Sequence, residues 1–199
     1  MIYKKTWKYI LVKDNSEGCM KFNLYRIKSL KDFSNVFKGN LGGYVMNYHN
    51  LSQKGNCWSY NHAIIVENAR VSDNVKVFDY AQVYGHARIS GEALVENGAQ
   101  IFDNAIVYEN AIISEHSMVF SFAEVSGNAQ VCGNAKVSGK ARVTGDAKVS
   151  GDAKVYGNAK IYGSATITGN VQVLGNAQVL GNANIEGVEV ICGNSIVDK

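Results

Sequence analysis

No apolar run in this sequence is long enough to cross a bilayer, and no charged-then-apolar leader opens it, so a cytoplasmic protein with no membrane partner is expected. Proline is absent, so no turn rests on it. The four cysteines, Cys19, Cys57, Cys132 and Cys192, form no C-x-x-C pair. Cys57 takes a small inward position and the others read as isolated thiols, which fits a reducing compartment and gives no reason to expect a metal. Apolar spacing of three to four residues, the mark of amphipathic helices, is also missing, and glycine, at 20 residues, is too frequent for them.

What the chain does have is a period of six. From Ile65 to Val197 every sixth residue is Val or Ile, 23 positions without a slip of register. Two residues before each stands a small residue, nearly always Ala, as in Ala135/Val137 and Ala159/Ile161. An apolar pair at i−2 and i is a period-2 pattern, so each hexad holds one short strand with both residues facing one way. Branching at Cβ suits Val and Ile to that pleated position. In the C-terminal half Gly follows at i+2, with Asn, Asp or Lys at i+3, and marks a corner with unusual dihedrals.

One corner per six residues, with a single aliphatic filling each side, implies a narrow prism. Three sides let the aliphatics meet at the axis, whereas a wider polygon leaves a void. The expected fold is all-β, a three-sided parallel β-helix with 18 residues per coil. The 23 hexads make between seven and eight coils, a rod roughly 35–40 Å long at the usual strand spacing. From about residue 55 onward the repeat resembles the hexapeptide-repeat proteins, and that resemblance implies a left-handed helix.

Before the array, Lys8–Lys13 and Phe22–Lys28 flank a polar stretch, Asp14 to Gly18, and read as a β-hairpin. Residues 29–54, with Gly39, Gly42 and Gly43, look irregular. A solenoid must cover its first coil, whose strand edges otherwise invite pairing. The chain therefore divides into a β-rich cap, 1–54, and the β-helix, 55–199. The run Asp32-Phe33, Asn35-Val36, Gly39, Gly42-Gly43-Tyr44-Val45, Leu51-Ser52-Gln53, Gly55 and Cys57-Trp58 resembles the N-terminal module of YdcK-like bacterial β-helix proteins. These are described as acetyltransferases, and similar modules occur in phage and prophage proteins.

Membership of the hexapeptide acyltransferases would imply acetyl-CoA as substrate, bound in a groove between subunits, with a histidine as general base. The candidates are His116 and His62, with His86 on another edge; all three stand at the i+3 corner, where a histidine can equally replace the usual Asn. His62 and His116 are three coils apart, roughly 14 Å by strand spacing. No hexad is interrupted, so the loop that walls the acceptor pocket in many such enzymes has no counterpart here.

With 18 residues per coil the outward i+1 positions form three columns. One contains Tyr84, Phe102, Phe120, Tyr156 and Leu174, an apolar stripe that predicts either a cover of cap residues or a contact with a second copy or another protein. The i−1 positions carry Lys136, Arg142, Lys148, Lys154 and Lys160, a basic belt around the rod. A belt without interleaved aromatics on one face argues against nucleic acid. Charge also alternates in bands, +7 over residues 1–64, −6 over 65–124, +4 over 125–160 and −2 beyond. Such bands either keep a repetitive surface soluble or meet an acidic partner. The leading expectation is a non-enzymatic scaffold without cofactor that self-associates or binds a protein, in keeping with a phage accessory protein; the alternative is the CoA-dependent acyltransferase.

Overall fold

The computed structural model describes residues 7–13 and 23–198. Three longer strands come first: β1 (Tyr9–Lys13), β2 (Tyr25–Ser29) and β3 (Leu41–Val45). They form an antiparallel meander in which Tyr9 lies opposite Ser29 and Tyr25 opposite Val45. The hairpin expected from the sequence is therefore present; its polar loop falls outside the described residues.

From Trp58–Ser59 onward short strands recur every six residues, and each pairs in parallel with the strand 18 residues on. Ile64–Ile65 pairs with Gln82–Val83, Arg70–Val71 with Arg88–Ile89, and Lys76–Val77 with Leu94–Val95. The result is an all-β parallel solenoid of three faces and about 18 residues per turn. The first face is an eleven-stranded sheet because β1, β2 and β3 join its end; the second, starting at Arg70–Val71, and the third, starting at Trp58–Ser59, have eight strands each.

About nine turns are present, more than the hexads alone supply. The extra turn comes from residues 41–59. β3 pairs in parallel with Ile64–Ile65, Leu51 bridges to Val71, and Trp58–Ser59 pairs with Lys76–Val77. The supposedly irregular stretch thus builds the first coil, and cap and solenoid share one sheet.

Inside, the Val/Ile and Ala columns are fully buried along almost the whole rod. At the N-terminal end the cap closes that core. Lys8, itself buried, donates from Nζ to the carbonyls of Cys57 (2.8 Å) and Gly55 (3.3 Å). The Gln53 side chain accepts from the Lys8 amide at 2.8 Å and donates to the Tyr9 carbonyl at 3.1 Å. Tyr9, Phe33 and Trp58 pack edge to face over these groups.

The corners carry the positive φ that the glycines announced, but not only at glycine. Glu67, Asp73, Asp79, Asn97, Asp103, Glu109, Glu115 and Ser121 all hold φ between 56° and 63°. Such a conformation costs a residue with a Cβ about 1–3 kcal/mol. Part of that cost is offset locally. Glu67 accepts the Gly85 N–H at 2.7 Å, Asp73 that of Gly91 at 3.0 Å, Asp103 that of Ser121 at 3.1 Å, and Glu109 that of Gly127 at 2.6 Å.

Candidate interaction face

The first face carries the apolar stripe, and the threefold register brings its members together. The rings of Tyr84 and Phe102 stack at 4.8 Å between centroids and 1° between planes, those of Phe102 and Phe120 at 4.9 Å and 4°. Parallel pairing fixes this: residues 18 apart occupy the same place on neighbouring strands, so identical positions superpose ring on ring. All three are half-buried. Burial pushes the Tyr84 phenol above its ordinary value, aided by the charges of Asp103 and Glu67.

Ser138 occupies the next place in the column, so Tyr156 and Leu174 are separated from the three rings by one rung. Tyr156 is also tied down, its hydroxyl donating to Gln172 Oε1 at 3.2 Å. The rail is therefore a stacked triplet, a small gap and two further members. Its described surroundings leave it open: β1, β2 and β3 extend the first face along the rod's axis instead of folding back over it.

Two features of this face escaped the sequence reading. Met118 precedes Phe120 on its strand, and Phe122 follows at the corner, 63% exposed. Tyr80, 66% exposed, stacks on His62 at 5.3 Å. Both aromatics hold i+3 positions but at different corners, Tyr80 in the column of His62 and His116 and Phe122 in that of His86, so tracing the i+3 columns at 18-residue steps reveals each as the i+1 column reveals the rail. A third stack, Tyr60 on Phe78 at 4.2 Å, stands on the third face beside the cap.

The histidines lie apart. His62 and His116 share an edge with the Tyr80 and Gly98 rungs between them, and His86 stands on another edge; all three are exposed. The basic residues lie as a belt: Lys136 pairs with Lys154 on the first face, Arg142 with Lys160 on the second, and Lys148 stands on the third. Arg142 alone of the five has a carboxylate partner among the described residues, Glu124 at 3.1 Å. No described group of three or more His, Cys, Asp or Glu could hold a metal ion, and no described helix could cross a membrane.

Repeat and register together define a hexapeptide-repeat parallel β-helix protein, a β-solenoid scaffold. The YdcK β-solenoid repeat matches residues 81–97, 99–115 and 129–145. No curated protein matches the chain. Among solved structures, PerB from Caulobacter crescentus, determined in complex with CoA and GDP-perosamine, is similar at 16% identity with a TM-score of 0.42. That likeness covers 58% of this chain, which spans about half (53%) of the PerB chain.

Proposed function

We propose that the protein is a non-enzymatic scaffold whose first face pairs with a second copy of itself, antiparallel and side by side, through Tyr84, Phe102 and Phe120. The observation that carries this reading is the stacked, half-buried ring triplet on a sheet face that no described residue folds over. A contiguous aromatic stripe is a costly surface to leave in water and is typical of contact sites.

Antiparallel pairing about a twofold at the Phe120 rung follows from shape and charge. Equal steps from that rung set Phe102 of one copy over Ser138 of the other, so a large ring meets a small residue. The next step sets Tyr84 over Tyr156. The same operation brings Asp103 of one copy to the rung of Lys140 of the other, and it opposes the band of net charge −6 to the band of +4. A twofold contact of this kind is self-complementary and closes at two copies.

The test is solution mass by light scattering. The unmodified chain is expected at twice its 21.6 kDa, and a Phe102→Asp, Phe120→Asp double variant at 21.6 kDa with an unchanged circular dichroism spectrum. A double variant that stays dimeric sinks the rail as the contact. Acetyl-CoA binding by calorimetry, abolished in His116→Ala or His62→Ala, would install the acyltransferase reading in its place.

A further inference from the structure

A different surface, on the second face beside the cap, carries charge with nothing to neutralise it. Arg70 and Arg88 lie directly opposite each other on neighbouring parallel strands. At a strand spacing of about 4.8 Å the bases of two guanidinium side chains run side by side. Neither guanidinium has an ion pair or hydrogen bond among the described residues, although the next arginine of the same column, Arg142, is paired with Glu124.

The pair borders two grooves. One, of about 520 Å³, is walled on its far side by Tyr48, His49 and Ser52 of the N-terminal module and by Ser72 and Ser90. The other, of about 260 Å³, is closed by Asn68 and His86. No carboxylate lines either groove. This stands out in a segment, residues 65–124, that carries nine acidic and three basic side chains. The groove on the third face shows the usual mixture, Lys76 with Glu92 and Glu96. Two acids of that segment are already engaged: Glu67 accepts the Gly85 N–H, and Asp73 accepts that of Gly91 at 3.0 Å and the Ser72 hydroxyl at 3.3 Å.

We propose that Arg70 and Arg88 bind the phosphate of a small phosphate monoester. Two guanidinium forks match the several oxygens of a dianion, and serine hydroxyls and histidine N–H groups add neutral or charged donors at the margin. The larger groove has the size of an ordinary small-ligand site. Its Tyr48 ring, 40% exposed, suits a compact apolar body on the ester. The site is independent of the rail, which lies on another face.

Calorimetry on the full chain tests this with phenyl phosphate, inorganic phosphate and phenol as probes. Phenyl phosphate is expected to bind, inorganic phosphate more weakly, and phenol not at all. Arg70→Gln and Arg88→Gln are each expected to weaken phenyl phosphate about tenfold or more, the usual range for a charged hydrogen bond. Lys76→Gln, on the third face, is expected to change nothing. Arg70→Lys keeps the charge and loses the fork, so it too is expected to bind more weakly. Unchanged melting temperatures show that the variants are folded. No binding of phenyl phosphate, or binding indifferent to both glutamine variants, overturns the site; full binding by Arg70→Lys overturns the fork as its basis.

Discussion

Cys57 and Lys8 show what single residues do at the closed end of the rod. Burial raises the Cys57 thiol above its ordinary 9.0, against the pull of the neighbouring ammonium, and burial likewise raises the Tyr9 phenol. Both groups stay neutral in the folded chain at a pH that ionises them in the unfolded one. Their contribution to stability is therefore full below about pH 9 and is lost as the pH climbs toward the raised folded values. Lys8 works in the opposite sense: burial lowers its pKa from 10.5, so its charged form costs stability that returns as the pH rises toward 10.5. Replacing Cys57 with Ala removes one of the two losses. Denaturant melts from pH 8 to 10.5 are expected to fall less steeply for Cys57→Ala than for the unmodified chain; parallel slopes would contradict it. The sequence marked Cys57 as small and inward, but nothing in it revealed Lys8, which reads as one more surface lysine in a basic stretch. Its partners are the carbonyls of residues 47 and 49 positions away, a contact only the closed fold creates.

At the scale of the element, the strand–corner hexad was legible because one constraint repeats 23 times. The corner chemistry was half legible. Glycine announced the left-handed corner after residue 127, while the acids and asparagine that hold the same φ before it looked like ordinary polar turns. Their carboxylates explain the change of charge band: five of the nine acids in residues 65–124 accept a backbone N–H of the following coil. Where glycine takes over the corner, that role ends and the surface turns basic. β3 was misread for the same kind of reason. Its Gly42 and Gly43 looked like punctuation, yet a Cβ on Gly42 would stand 2.5 Å from the Ser59 carbonyl and one on Gly43 2.3 Å from Ser59 Oγ. They are glycines because two backbones approach there. Close stacking also ranks the corner glycines. A Cβ on Gly145, at φ 73°, would meet the Gly163 carbonyl at 2.8 Å, whereas Gly187, at φ 91°, has nothing within 4 Å. Gly187→Ala, which meets only the φ penalty, is expected to cost about 1–3 kcal/mol, and Gly145→Ala more, since its Cβ also runs into backbone. Urea midpoints that rank the two the other way would refute the stacking argument.

For the whole molecule, the regularity that makes the fold also limits its chemistry. Among residues 63–198 no insertion leaves the prism, and outward side chains stand in columns at 18-residue steps. The 18-residue step made the aromatic column readable in advance, and the structure adds that the rings of Tyr84, Phe102 and Phe120 stack in parallel planes and that the cap extends their sheet along the axis. Corner aromatics such as Phe122 went unread because the i+3 column was treated as a turn and not followed as a surface. In the proposed dimer, charge gives the pairing its direction. Lys140→Glu would set a carboxylate at the rung of Asp103 of the partner copy, and is expected to weaken the dimer several-fold at low salt and much less at high salt. Dissociation midpoints by light scattering at two ionic strengths read this directly, and a salt-independent effect would argue against that register. The most direct test of the whole account is the solution mass of the unmodified chain by sedimentation equilibrium. Two copies, twice 21.6 kDa, is the predicted result; a single copy of 21.6 kDa at concentrations up to the millimolar range would contradict it.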